Sequence, residues 1–375
     1  MKKVVIAIDS FKGCLPSAEA GKAAAEGIRS VYPECEVICL PIADGGEGML
    51  DVLIMATNGQ EVPISAHDPL MRWRNTYYGI SENGETAFIE MASISGLPLV
   101  PPERRNPMLT TTYGTGEIIR DALERGCRNF IIGIGGSATN DAGLGMLQAL
   151  GFRFSDKKGK EVGTGRGEVL IKVAYIDSTF VHPALNSCRF TVACDVQNPF
   201  YGPEGAAYVF APQKGADREM VEALDAGLQN FAEVIRHTTG KDISHHPGAG
   251  AAGGMGGSLL AFLNAELKPG IQLMLEALDF SNKIKSADLI ITGEGKADRQ
   301  TLMGKVPSGI LAEARKQNIP VILLAGNIED SDELQQAGFE GVFSVNPPFI
   351  SLEEAMRPEV ARKNIQQTVE SICKK

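Results

Sequence analysis

Long apolar runs are scarce in this chain. None of its 375 residues falls in a stretch near the roughly 18 consecutive apolar residues of a membrane helix, so no membrane partner is expected. Met1-Lys2-Lys3 followed by Val4–Ile8 has the start of an export leader. The run stops at Asp9, short of the about 7–15 apolar residues such a leader needs. It reads instead as the first strand of a cytoplasmic protein. An excess of positive charge is also missing. Lys and Arg number 36 against 46 Asp and Glu, a net charge of −10, which argues against a nucleic-acid partner. The seven cysteines (14, 35, 39, 127, 188, 194 and 373) are odd in number and show no CxxC spacing, so they read as reduced thiols. The five histidines form no HExxH, and His245-His246 before Pro247-Gly248 reads as an exposed turn rather than a metal site. No GxxxxGK[ST] and no HRD loop occur, and Asp279-Phe280-Ser281 is not a DFG in context, which excludes P-loop enzymes and protein kinases. The single tryptophan, Trp73, reads as a packing residue.

Glycine is abundant: 42 residues, against an average usage of about 7%. Its clusters lie between segments with clear periodicity. Val4–Ile8 is apolar throughout, as in a strand buried on both faces. Ser17 is placed to cap a helix with a small-residue stripe at Ala20, Ala23, Ala24, Gly27 and Ile28. A strand at 36–40 and a helix at 49–56 complete a βαβα order, which implies a parallel sheet. Strands at 75–80 and 86–91 flank Glu82-Asn83-Gly84-Glu85, the signal of an antiparallel hairpin. Helices follow at 116–125, 141–150 and 217–237, and strands at 129–134, 189–194 and 206–210. The Gly/Ala-rich 248–257 segment reads as a loop feeding a buried helix. Parallel α/β texture returns with strands at 288–292 and 320–324 and helices at 307–317 and 351–373. The expected fold is α/β with two domains. Residues 1–62 plus 280–375 form a discontinuous Rossmann-like parallel-sheet domain, 63–279 an inserted mixed α/β domain, and a ligand cleft lies between them.

Four segments share one pattern, an apolar strand followed by Gly with acids, Ser or Lys: Ile8–Gly13, Ala43–Gly48, Ile134–Asp141 and Thr292–Gly295 leading to Asp298. Ligands of open parallel sheets bind beyond the carboxyl ends of the strands, and Gly lets backbone N–H groups face phosphate oxygens. One such loop is an ordinary capped turn, whereas four point to a phosphate or nucleotide site. Gly133–Ala138 also matches GxGxxA, with Asp156 about 20 residues on, so an NAD-dependent dehydrogenase of a small hydroxy acid is the rival reading. Asp195 and Asn198 close a strand and suit either a metal–phosphate site or an Asx-turn. Lys214, Asp298, Gln300 and Lys305 sit in loops before helices and suit an anionic substrate.

Taken together and in order, these motifs resemble the bacterial type-1 glycerate kinase family. The matching segments are Asp9–Gly13, Pro41–Gly48, Tyr113–Gly116, Ile134–Asp141, Ala193–Val196 with Asn198-Pro199, Pro212–Ala216, Pro247–Gly254, and Thr292–Gly295 with Asp298, Gln300-Thr301 and Gly304–Pro307. Departures are Cys14 and Pro16 where Ser or Thr is usual, and Ala142 where Gly is. The resemblance implies two α/β domains and Mg²⁺- and ATP-dependent phosphorylation of D-glycerate, giving 2-phosphoglycerate or, as the alternative, 3-phosphoglycerate. Within that frame Asp195 or Asp44 is the base candidate, and Lys12, also counted as catalytic, is with Lys305 an anion-binding cation. Asp9, Ser10, Asn198, Gln300 and Lys305 are expected to bind the acid substrate. Gly135, Gly136, Ser137, Asn140, Lys214, Gly293 and Gly295, with the 248–254 stretch, are expected at ATP. Glu47, Asp141 and Asp298 are expected at Mg²⁺. Monomer and homodimer both remain open.

Overall fold

Thirteen strands organise the chain. They are β1 (Lys3–Ile8), β2 (Glu36–Cys39), β3 (Gln60–His67), β4 (Trp73–Ile80), β5 (Thr86–Glu90), β6 (Asn129–Gly133) and β7 (Arg153–Ser155). The rest are β8 (Tyr175–Asp177), β9 (Arg189–Ala193), β10 (Glu266–Lys268), β11 (Leu289–Ala297), β12 (Val321–Ile328) and β13 (Gly341–Ser344). The structure, a computed structural model, describes residues 1–43, 46 and 48–374. Asp44 and Glu47, a base and a metal candidate, lie outside the described residues.

The chain divides into two units, Met1–Asp44 with Ile271–Lys375, and Gly45–Gly270. The boundaries fall at 44/45 and 270/271, earlier at both crossings than the 62/63 and 279/280 expected from composition. The reason at the first is packing: the Met49–Ala56 helix lies against β4 and β5 of the second unit.

The first unit carries a five-stranded sheet in the order β13-β12-β11-β1-β2, every neighbouring pair parallel. Val4, Val5 and Ala7 of β1 are fully buried, as the unbroken apolar run requires. The Ser17–Val31 helix presents Ala20, Gly21, Ala23, Ala24, Gly27 and Ile28 inward. Gly27 is needed for this approach, since a Cβ there would lie 2.5 Å from the Gln366 carbonyl oxygen of the Pro358–Cys373 helix. Ser17 is not that helix's cap. Its Oγ donates to the Ile8 carbonyl at 2.6 Å and accepts from the Ile42 N–H at 2.9 Å, stapling the loop after β2 to the end of β1. The helix expected over 351–373 is two pieces, Leu352–Ala355 and Pro358–Cys373. Pro358 opens the second piece and has no N–H with which to continue the first.

The second unit carries a six-stranded mixed sheet, β10-β9-β6-β5-β4-β3, antiparallel at β3/β4 and β4/β5 and parallel elsewhere. Phe130 and Phe190 stack at 4.7 Å between adjacent strands in its core. Trp73, expected to pack, is 67% exposed, with one face against His67 at 4.0 Å. The 206–210 segment, expected as a strand, is a short helix. Its Ala206 and Ala207 are buried while Tyr208 and Val209 face outward.

Candidate active site

In the first unit β1 and β11 run in register, Ile8 opposite Gly293, so Asp9, just past the end of β1, comes beside Glu294, which β11 still holds in pairing with Ala325 of β12. The Asp9 N–H donates to the Gly293 carbonyl at 2.9 Å, and Asp9 Oδ1 accepts the Ser10 N–H at 2.7 Å. Both acids are 6% exposed. Glu294 Oε1 accepts from Thr301 Oγ1 at 2.5 Å, and Oε2 lies 3.7 Å from Lys305 Nζ. Burial pushes the Glu294 carboxyl up, and the Thr301 hydroxyl and the Lys305 and Lys12 charges pull against it. These groups border a cavity of about 310 Å³ that Asp9, Ser10, Lys12, Gly295 and Lys305 all line.

Asp298 stands apart from that lining. Its Oδ1 accepts the Gln300 N–H at 2.9 Å, its own N–H donates to Thr301 Oγ1 at 2.9 Å, and Oδ2 is 3.5 Å from Lys296 Nζ. The Gln300 side chain is exposed and away from the cavity. Gly293, expected in a phosphate loop, lies inside β11. A Cβ there would come within 2.5 Å of the Leu324 carbonyl, so its missing side chain serves strand packing.

In the second unit the segment after β6 runs as a loop to Gly143, and only then does the Leu144–Ala149 helix begin. Gly135 and Gly136 are exposed and border a cavity of about 380 Å³ with Glu90 and Ser93. Glu90, at the end of β5, accepts the Leu50 N–H at 2.8 Å. It was legible only as another acid at a strand's carboxyl end, the same signal that singled out Asp9.

Behind the exposed glycines the loop is tied down from inside. Lys214 is 3% exposed, and its Nζ donates to Ser137 Oγ at 2.8 Å and to the Thr139 carbonyl at 2.7 Å. Burial lowers its pKa to about 7, with Asp141 acting the other way. Lys214 and Ser137, both expected at ATP, thus brace the loop from within. Asp141, expected at Mg²⁺, is fully buried and receives Thr112 N and Oγ1 at 2.8 Å and Gly145 N at 3.2 Å on Oδ2, and Gly143 N at 3.2 Å on Oδ1. In this arrangement its oxygens hold the loop's backbone. Asn140 is fully buried as well, and neither of its amide atoms has a hydrogen-bond partner. The Ala142 departure falls at φ 53°, a left-handed conformation that explains why Gly is usual there.

Asp195 is exposed at the end of β9, with Oδ1 accepting the Gly270 N–H at 2.8 Å. Asn198 Nδ2 donates to the Glu204 carbonyl at 2.8 Å and closes the following turn.

A family model described as the glycerate kinase family matches residues 4–375. The chain belongs to the glycerate kinase family. Its relatives include the Escherichia coli (strain K12) protein named glycerate 2-kinase, 48% identical over 356 residues, 95% of this chain and 93% of that one. The Bacillus subtilis (strain 168) glycerate kinase is 46% identical over 372 residues, 99% of this chain and 97% of that one. A crystal structure from Salmonella typhimurium LT2, provisionally described as a glycerate kinase 2, superposes with a TM-score of 0.90 at 44% identity. That match covers 100% of this chain and 97% of that one. The dinucleotide reading does not survive. No helix follows the GxGxxA directly, and Asp156 caps an exposed turn, where the Lys160 and Lys158 N–H groups hold its carboxyl low. Among the described residues no helix of this family member is long and apolar enough to cross a membrane.

Proposed function

We propose that this chain transfers the γ-phosphoryl group of ATP to the 2-hydroxyl of D-glycerate, giving 2-phospho-D-glycerate and ADP. The observation that carries the reading is its near full-length likeness, at 48% identity, to the E. coli protein named glycerate 2-kinase. The hydroxyl oxygen bonds to the γ-phosphorus as the bond to the β,γ-bridging oxygen breaks, and the hydroxyl proton passes to a carboxylate. Asp195 suits the role of base, because it is exposed and the Gly270 N–H fixes one of its oxygens. Asp44 remains the second candidate. Asn198, close after Asp195 in the chain, would bind the acid substrate.

Mg²⁺ enters this reading on the triphosphate. Among the described residues no three His, Cys, Asp or Glu side chains are grouped to hold a metal. A nucleotide-borne Mg²⁺ takes most of its ligands from phosphate and water, so one or two carboxylates suffice. Glu294, which lines the first unit's cavity, would supply one such carboxylate. An ion held there would supply neutralisation of charge on the transferred group. The seven thiols are free, which suits a reducing cytoplasm.

The test is an assay with ATP, Mg²⁺ and D-glycerate coupled through enolase, pyruvate kinase and lactate dehydrogenase, with and without phosphoglycerate mutase. Signal without mutase supports 2-phosphorylation. Signal only with mutase means the 3-hydroxyl is the acceptor. No signal with either, from folded protein and verified coupling enzymes, removes D-glycerate as the substrate.

A further inference from the structure

The first unit's sheet changes direction at its centre. From β1 the chain moves to β2 on one side, while β11, β12 and β13 succeed one another on the other side. Such a switch point leaves a crevice beyond the carboxyl ends of the two central strands, where open α/β sheets bind ligands. The cavity of about 310 Å³ opens at the carboxyl end of β1, bordered by Asp9 and Ser10 just past that strand and by Glu294 and Gly295 in the last half of β11.

Its lining combines two chemistries. Part is apolar: Phe11 and Val345 are buried, and Leu352 and Met356 are 77% and 39% exposed. Part is charged, with Lys12 and Lys305 sharing the lining with the carboxylates of Asp9 and Glu294. A three-carbon hydroxy acid matches neither the size nor the apolar wall. Pockets of about 300 Å³ and more hold ligands of drug size, and exposed apolar side chains at a cavity gain by being covered. An occupant that uses both chemistries has a flat apolar ring at one end and several negative charges at the other.

We infer that the switch-point cavity of the first unit is the nucleoside triphosphate site, with the base against Leu352 and Met356 and the phosphates toward Lys12 and Lys305. The inference rests on the ATP reading above and deepens it. It moves Ser10 and Lys305 from the acid substrate to the nucleotide, and it gives the 343–361 segment, on which no motif falls, a part in nucleotide binding.

Photolabelling the intact protein with 8-azido-ATP, followed by peptide mapping, tests the placement without requiring turnover. Adducts within 343–361 that excess ATP suppresses are expected. Suppressible adducts confined to 133–254, or none at all, overturn the inference. Leu352→Ala and Met356→Ala provide a second measurement, both at partly exposed positions where folding tolerates truncation. Each raises the KM for ATP about fivefold or more, the loss expected when a base gives up apolar contact, and leaves the KM for D-glycerate within about twofold. The opposite split assigns the cavity to the acid, and no change in either constant also overturns the placement. If D-glycerate proves not to be the substrate, the labelling pattern still decides where the nucleotide sits.

Discussion

Lys214→Met keeps most of the buried stem and removes the amine that holds the 135–141 loop from behind. Two hydrogen bonds go, to Ser137 Oγ and to the Thr139 carbonyl. Leaving each buried partner unpaired costs about 1–3 kcal/mol. A second effect has the opposite sign and depends on pH. The folded lysine titrates near 7, against 10.5 for the free side chain. Because the folded pKa is the lower one, the unfolded chain binds a proton between these values that the folded chain refuses. The stability lysine confers is therefore present in full above pH 10.5 and is lost as pH falls toward 7. The slope is at most about 1.4 kcal/mol per pH unit, about 5 kcal/mol over the whole window. Asp141 is common to both proteins, so comparing them at each pH removes its own titration. Trp73 is the chain's one tryptophan and lies in the unit that contains Lys214, so urea unfolding followed by its fluorescence reports the relevant part of the molecule. Between pH 7.5 and 9.5 the stability of the native protein relative to Lys214→Met is expected to rise by about 2–3 kcal/mol. A flat difference across that range would show that the folded lysine keeps its charge, and would refute the argument from burial.

Three further outcomes follow from the same geometry. Asp195→Asn lowers turnover by about 10²–10⁴-fold with an unchanged circular dichroism spectrum, and a loss below about tenfold removes Asp195 as the base. Gly27→Ala forces a Cβ to 2.5 Å from the Gln366 carbonyl oxygen. The overpacking costs about 1–3 kcal/mol, offset by at most about 1 kcal/mol of helix propensity. Scanning calorimetry is expected to show a lower Tm, and a raised Tm contradicts the close packing of these helices. Thr112→Val removes the hydroxyl that donates to Asp141 at 2.8 Å and accepts the Met146 N–H at 2.9 Å. The loss is about 2–4 kcal/mol for two buried partners left short, and an unfolding midpoint equal to that of the native protein would show that this network bears little of the loop's stability.

The chain's local chemistry was enough to place much of its regular structure. Val4–Ile8 could only be a strand buried on both faces, since no polar face interrupts it. The 217–237 periodicity could only be a long surface helix, observed at Arg218–Thr239 with Asp217 capping it at Met220 N. The glycine- and acid-rich loops identified the family and the ends of the strands where its chemistry belongs. Tertiary structure decided everything that depends on what lies opposite. Tyr208-Val209-Phe210 has the composition of a strand, yet the segment is helical because Ala206 and Ala207, not the large residues, face inward. Asp9 and Asp141 are both acids in glycine-containing loops just past an apolar strand. One lines a cavity, while the other is enclosed and satisfied by four donors. Lys305 and Lys214 divide in the same way, one at a cavity rim and the other 3% exposed. Residue type and spacing set which chemistry a side chain can perform. Whether it meets a ligand or braces a loop depends on burial, and burial comes from segments far away in the chain, as Gly253 is from the Asn140 it packs against.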